Sequence, residues 1–297
     1  MSEFLVETER LRLQAGNSLL EVSPRLGGSV MSLKWDGHDI LQSAPATAPE
    51  PTPLLTAGFP LIPFSGRIAR GRFHWRGHDI SLPANFPPEP HNIHGQAWSS
   101  EWEVVCATPS RLEIEFSYPK GAWPWQYRAR QTFLLRDDGL SIDILLRNED
   151  NAPMPAGIGW HPYFPADGAV ISANTESGWV LNDQGLPRAH LDALGKHDLR
   201  EPRLVASLDL DHPFVAPEAD TLISWPARAL AVRMTATKPF DHLVVFTPLG
   251  EDFFCVEPVS HVPNAHNLDL SADLTGLVTL MPGDTLEGRI DLEFEAL

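Results

Sequence analysis

Apolar and polar residues alternate with a period of two along most of this chain. In RLEIEFSYP, the apolar residues Leu112, Ile114 and Phe116 are separated by charged or small polar residues. The same alternation recurs in LSIDILLR (140–147) and in TLEGRIDLEFEAL (285–297). Because successive side chains of a β-strand point to opposite faces of a sheet, each segment is predicted to be a strand with one buried face.

Other segments predict further strands and no long helix. Strand-like stretches occur early, in RLRLQ and LLEVSP, and late, in HLVVFTP and DFFCVEP. The 28 prolines favour loops and strand edges over helix interiors. We therefore expect a single all-β domain over residues 1–297, built as a large antiparallel β-sandwich. Strand-like sequence flanks both proline-rich segments, 44–53 and 84–90, closely, so these are predicted to be rigid loops rather than domain linkers.

Composition excludes several classes of function. Lys and Arg number 22 against 39 Asp and Glu, a net charge of −17, which argues against a nucleic-acid-binding surface. The two cysteines, Cys106 and Cys255, provide neither a disulfide framework nor a thiolate metal cluster. With no signal-peptide pattern and no apolar run of membrane-spanning length, we expect a cytoplasmic monomer or homodimer that binds no membrane.

Polar residues that interrupt strand-like sequence are the candidates for chemistry. Glu257 directly follows the apolar stretch Phe253–Val256. It is either a solvated carboxylate before a proline turn or a partly desolvated one with a raised pKa, as a general base requires. His161 lies in GIGWHPYFP and is either a packed core imidazole or a proton carrier. In the second case Trp160 and its aromatic neighbours could present a ring face to a sugar.

A metal site has weak support in the sequence. His91 and His94 are three residues apart in HNIHGQAW, but no third ligand follows in a recognised pattern. We therefore predict no metal and no other cofactor.

The motifs, taken in order, resemble the aldose 1-epimerase (galactose mutarotase) family. The resemblance begins with LEVSPRLGGSVMSLKWDGHDIL and continues through GRI followed by GRF, then NIHGQAW and HPYF. It ends with the EP dipeptide of DFFCVEP and a downstream PNAHN. These motifs extend over residues 20–267, and the fold they imply is the large β-sandwich predicted above.

The resemblance also implies roles for individual residues. His161 matches the general acid and Glu257 the general base of the family. Arg67 and His94 match sugar-binding residues. The sugar-binding aspartate is best matched by Asp211 in LDLDHPFVAP, with Asp209 as the alternative. Trp160 is a further candidate for sugar binding, through contact of its ring with the sugar ring.

The implied activity is mutarotation, in which an acid and a base open and reclose the pyranose ring of a small-molecule sugar. The chain departs from the family pattern at Pro165-Ala166, after HPYF, and in the residues after Glu257. These departures leave the identity of the sugar open. An anionic substrate would require cations, for which Arg67, Arg70, Arg72 and Lys120 are available. A non-catalytic sugar-binding protein of the same fold is a third possibility.

Overall fold

The computed structural model describes residues 10–44 and 52–297. Most of the proline-rich segment 44–53 therefore lies outside the described residues. The other proline-rich segment, 84–90, is a loop as predicted.

Strands dominate the structure. In the first half of the chain they are β1 (Leu11–Ala15), β2 (Ser18–Ser23), β3 (Ser29–Trp35), β4 (His38–Asp39), β5 (Gly58–Leu61), β6 (Arg67–Ile68), β7 (Arg72–Trp75), β8 (His78–Ser81), β9 (Asn92–Ile93), β10 (Glu103–Ala107), β11 (Arg111–Tyr118), β12 (Tyr127–Arg136) and β13 (Gly139–Asn148). In the second half they are β14 (Met154–Ala156), β15 (Gly159–Pro165), β16 (Val170–Ala173), β17 (Ser177–Leu181), β18 (Pro187–Leu191), β19 (Arg203–Leu204), β20 (Asp211–Val215), β21 (Thr221–Trp225), β22 (Leu230–Ala236), β23 (His242–Phe246), β24 (Phe253–Val259), β25 (Val278–Leu280) and β26 (Thr285–Ala296).

Helical structure is confined to short turns. Within the described residues the one α-helix is α1 (Ala272–Thr275). The single-turn 3₁₀ segments are Pro53–Leu55, Ala69–Gly71, Ala97–Ser99, Gly195–His197, Val205–Ser207, Pro217–Ala219, Pro226–Arg228 and Ala265–Asn267. No helix in these parts of the chain is long and apolar enough to cross a membrane.

Two large antiparallel sheets form the predicted sandwich. The first has eleven strands, in the order β1-β2-β3-β5-β15-β24-β23-β20-β17-β18 with β4 paired to β3. The second has nine strands, in the order β10-β11-β12-β13-β26-β22-β21-β16-β19. The pairs β6-β9, β7-β8 and β14-β25 make separate two-stranded ribbons. The family's β-sandwich and the strands predicted from alternation are thereby confirmed.

The main core lies between the two sheets and follows the alternation seen in the sequence. In β13, Leu140, Ile142, Ile144 and Leu146 are all fully buried in this core. Trp123 and Trp125 also belong to it. A second, smaller apolar cluster forms on the other face of the eleven-stranded sheet, from Phe59, Leu61, Ile93, Trp98, Tyr163, Cys255 and Val259.

Candidate active site

A cavity of about 170 Å³ opens on the outer face of the eleven-stranded sheet, opposite the main core. Its lining comprises Gly66, Arg67, Phe86, Glu89, Ile93, His94, His161, Leu181, Asp211, Val244, Phe246, Glu257 and Pro263. Pockets for drug-sized ligands begin at about 300 Å³. The smaller volume here suits a ligand of monosaccharide size.

Strand register brings the two predicted catalytic residues together. On the adjacent strands β15 and β24, Gly159 pairs with Val259 and Tyr163 with Cys255, which places His161 opposite Glu257. The Nε2 atom of His161 lies 3.3 Å from Oε1 of Glu257. Two residues far apart in sequence are therefore brought into contact at the centre of the sheet.

Glu257 is not a solvated residue before a turn. Strand β24 continues through Pro258 to Val259, so Glu257 lies inside the strand and is only 5% exposed. Burial raises the pKa of the Glu257 carboxyl well above its ordinary value, and the nearby carboxylate of Asp211 raises it further, while Arg67 opposes both effects. The raised pKa makes Glu257 a stronger base than a carboxylate in water.

His161 is packed against aromatic rings and still lines the cavity. Its ring stacks on Phe59 at 4.7 Å and on Tyr163 at 4.8 Å between centroids. Burial lowers the pKa of His161 to about 3. The protonated imidazole is therefore a stronger acid than in water, because a buried site disfavours its charge. His161 is therefore packed among rings and open to the cavity at once. Its role as a proton carrier stays a prediction.

Trp160 lies on the opposite face, so its predicted place at the sugar site is wrong. It is fully buried in the main core, together with Phe164. The physical reason is the strand itself, since neighbours of His161 along β15 must point away from the side that His161 occupies. Tyr163, two residues from His161, is the aromatic residue of this motif on the side of the cavity.

The predicted sugar-binding residues reach the cavity from different elements. Arg67 starts β6, which pairs with β9, and His94 follows β9 directly. The ring of His94 contacts that of His161 edge-on at 5.6 Å. Asp211 starts β20, two strands from β24, and lines the cavity, whereas Asp209 is exposed. Of the two aspartates, only Asp211 is therefore positioned to contact a ligand.

Electrostatic interactions connect these groups. Burial raises the pKa of Asp211, and Arg67 partly offsets that increase. Burial also lowers the pKa of His94 well below its ordinary value, and the charges of His161 and Arg67 contribute to the decrease. The cavity thus holds titratable groups whose charges influence one another.

The HG and PNAHN motifs have a structural explanation. Gly95 has a φ of +75°, and a Cβ there would lie 2.0 Å from the carbonyl oxygen of Ile62. Only glycine allows this approach, which fixes the chain beside His94. Asn264 donates its backbone N–H to the carbonyl oxygen of Arg67 at 2.7 Å, and its side-chain oxygen accepts from the N–H of Ala69 at 3.0 Å. The PNAHN segment therefore holds the strand that carries Arg67.

One group in the described residues could hold a metal ion. The ligand atoms of His161, Cys255 and Glu257 all lie within 4.8 Å of one another. His91 and His94, which the sequence supported only weakly as metal ligands, form no such group within residues 10–44 and 52–297. His91 instead accepts the N–H of Arg70 at 2.9 Å through Nδ1. The absence of a metal from the reaction stays a prediction.

A larger groove elsewhere contains charged residues that already pair with each other. A groove of about 630 Å³ lies across the outer face of the nine-stranded sheet. There Arg289 binds Asp143 at 2.6 Å, and Arg130 binds Glu113 at 3.3 Å across the strands. These charges have partners and remain in contact with solvent, so the groove has the properties of an ordinary hydrated sheet face.

Comparison with known proteins is consistent with the geometry. The sequence model of the family described as aldose 1-epimerase matches residues 9–293. The chain belongs to the aldose 1-epimerase family. Among curated relatives, the uncharacterized protein YphB of Escherichia coli K12 is 29% identical over 266 residues, covering 83% of this chain and 90% of YphB. YihR of the same organism is 26% identical and covers 74% of each chain.

Solved structures share the fold. A putative aldose 1-epimerase from Escherichia coli K12 superposes with a TM-score of 0.89 at 27% identity, covering 97% of this chain and 99% of the other. A galactose mutarotase-like protein from Clostridium acetobutylicum has a TM-score of 0.87 at 20% identity, covering 98% and 96% of the two chains. The second similarity establishes the architecture alone.

Several cavity residues were not identified from the sequence. Val244 and Phe246 on β23 line the cavity between Glu257 and Asp211. Their alternation within HLVVFTP was visible, but only the strand order shows that β23 separates β24 from β20. Glu89, in a loop interpreted only as rigid, gave no signal, because a single acidic residue among prolines has many possible roles.

Proposed function

We propose that this protein is an aldose 1-epimerase, a mutarotase that interconverts the α and β anomers of a hexose-like pyranose. One observation carries the proposal: Nε2 of His161 lies 3.3 Å from a carboxylate oxygen of Glu257, and both residues line a cavity of about 170 Å³. Membership of the family supports the same reaction class. The site residues and the mechanism are our assignment.

Ring opening requires two proton transfers. Glu257 takes the proton of the C1 hydroxyl while His161 protonates the ring oxygen O5. The C1–O5 bond breaks, which leaves an aldehyde at C1 and a hydroxyl at C5. After rotation about C1–C2, the C5 hydroxyl attacks the other face of the aldehyde. His161 then recovers its proton from that hydroxyl, and Glu257 returns its proton to the oxygen on C1.

The pKa shifts suit these roles. Burial disfavours the carboxylate of Glu257 and the imidazolium of His161 alike. Burial therefore makes Glu257 a stronger base and protonated His161 a stronger acid. The pair shares one proton, so ring opening converts the charged pair of imidazolium and carboxylate into the neutral pair, and reclosure restores the charged one. Arg67, His94 and Asp211 would bind sugar hydroxyls around this pair.

We propose a cytoplasmic enzyme, in keeping with the free thiols of Cys106 and Cys255. A non-catalytic sugar-binding protein of the same fold is the alternative that the experiment below must separate from an enzyme.

Two-dimensional exchange NMR of the α and β anomers at equilibrium tests the proposal. The samples are a neutral aldohexose, its 6-phosphate and a sulfonated aldose, each with wild-type protein and with Glu257→Gln. We expect anomer exchange well above the buffer rate, and its loss in Glu257→Gln. Binding of the sugars without any added exchange would assign the protein to the sugar-binding class.

A further inference from the structure

The guanidinium group of Arg67 is enclosed on two sides. Its Nε atom lies 3.4 Å from Oε2 of Glu89. The backbone of Gly185, in the turn between β17 and β18, lies against the same group, since a Cβ there would be 2.6 Å from Cζ of Arg67. Arg67 therefore has little freedom to reorient towards a ligand.

Glu89 is itself held in place. Its Oε1 atom accepts the backbone N–H of His91 at 3.2 Å. His91 is almost fully buried and is fixed in turn by the N–H of Arg70 at 2.9 Å. The side chains of Arg67 and Glu89 are 31% and 21% exposed. The pair is thus less screened by solvent than a fully exposed ion pair.

The charge balance of the cavity is negative. Among the described residues that line it, Arg67 is the only Arg or Lys, whereas Glu89, Asp211 and Glu257 all carry carboxyl groups. The other cations considered from the sequence do not line the cavity, and Lys120 binds Asp150 at 3.0 Å. A phosphate or sulfonate group would therefore find one arginine whose charge Glu89 already offsets.

We propose that Glu89 is a specificity-determining residue of this site. It holds Arg67 in position to bind neutral sugar hydroxyls, and its charge makes the cavity reject phosphorylated and sulfonated aldoses. The inference rests on the proposed function for its choice of ligand. Glu89 touches neither the acid nor the base, so its effect is on binding rather than on proton transfer.

The test compares Glu89→Gln with wild type in NMR titrations of D-glucose and D-glucose 6-phosphate at low ionic strength. Glutamine keeps the shape of the side chain and removes its charge. We expect the affinity ratio of glucose over the phosphate to fall by about fivefold, the effect of one partly exposed ion pair. Glu89→Asp keeps the charge and should retain the wild-type preference. In exchange assays on glucose, Glu89→Gln should raise KM and leave kcat nearly unchanged.

Asp220→Asn is the matched control, because Asp220 pairs with Arg233 at 2.9 Å on the other sheet and should not alter the ratio. An unchanged ratio in Glu89→Gln would overturn the inference about Glu89 and leave mutarotation intact. Absent anomer exchange in wild type, with a ratio that still changes in Glu89→Gln, would overturn the proposed function alone. If the wild-type protein binds neither sugar, both the inference about Glu89 and the proposed function are overturned.

Discussion

The two faces of the eleven-stranded sheet use the same strands for different purposes. On β15, Trp160 belongs to the core between the sheets, whereas His161 lines the cavity on the outer face. On β24, Val256 belongs to the core and Glu257 to the cavity. Residues adjacent in sequence are therefore separated by the sheet, and alternate positions of one strand serve stability and chemistry.

Burial has opposite energetic consequences on the two faces. Removing the apolar side chains of Trp160 and Val256 from water stabilises the fold. Removing His161 and Glu257 from water costs free energy, as the lowered pKa of the one and the raised pKa of the other record. Buried titratable groups with strongly shifted pKa values, such as His161 and Glu257, are typical of sites that transfer protons.

The largest expected effect is a loss of anomer exchange on changing a residue of the outer face. His161→Asn removes the proposed acid and should slow enzyme-catalysed anomer exchange by a factor on the order of 10²–10⁴. The stability of the fold should change little, since the residue lies outside the main core. Exchange NMR at saturating sugar and urea denaturation measure the two quantities. Near-normal exchange would show that another group supplies the proton.

The neighbouring residue on the inner face should behave in the opposite way. Trp160→Ala leaves a cavity in the main core and should lower the free energy of unfolding by about 3–5 kcal/mol. Sugar affinity per folded molecule should persist, because Trp160 does not line the site. Denaturation curves and a sugar titration of the folded fraction would check this. Lost affinity at unchanged stability would return Trp160 to the binding site.

The pH profile gives a finer test of the outer face. The pair needs a single proton, so kcat should fall on the acid side as His161 protonates near its pKa of about 3. On the alkaline side it should fall as Glu257 loses its proton, above the ordinary pKa of a glutamate. Asp211→Asn removes a repelling carboxylate, lowers the pKa of Glu257 and should move the alkaline limb to lower pH.

Asp209→Asn is the control for that shift, because Asp209 is exposed and does not line the cavity. It should leave the alkaline limb in place. Equal movement of the limb in both variants would mean that overall charge, and not contact with Glu257, sets the profile.

The smallest expected effect is that of metal removal. His161, Cys255 and Glu257 form a group that could hold a metal ion, yet the proposed proton transfers need none. Dialysis against EDTA should therefore leave the exchange rate unchanged. If EDTA lowered the exchange rate, if added Zn²⁺ restored it, and if Cys255→Ala prevented that recovery, a metal would take part in the reaction.

The sequence predicted the strands, and most of the residues that meet in the candidate site, for a physical reason. Alternation reports directly which side chains of one strand share a face, so β11, β13 and β26 could be predicted from it. The motif order of the family brought forward His161 and Glu257, which the structure places 3.3 Å apart. Applied to GIGWHPYFP, the same alternation would have put Trp160 on the face opposite His161.

Other features depend on contacts that no local pattern encodes. Strand order decides that β24 is adjacent to β15 and that β23 separates it from β20. The choice of Asp211 over Asp209 follows from that order together with the cavity. Glu89 acquires a partner only when the loop that carries it meets β6, which lies about 20 residues earlier in the chain.

The most direct test of the comparison is a pair of adjacent substitutions on β24, Glu257→Gln and Val256→Ala, studied by exchange NMR and urea denaturation. We predict that Glu257→Gln loses anomer exchange by a factor on the order of 10²–10⁴ with a stable fold. Val256→Ala should lose about 2 kcal/mol of stability and keep exchange per folded molecule. Full exchange in Glu257→Gln, or its loss in a folded Val256→Ala, would contradict the account.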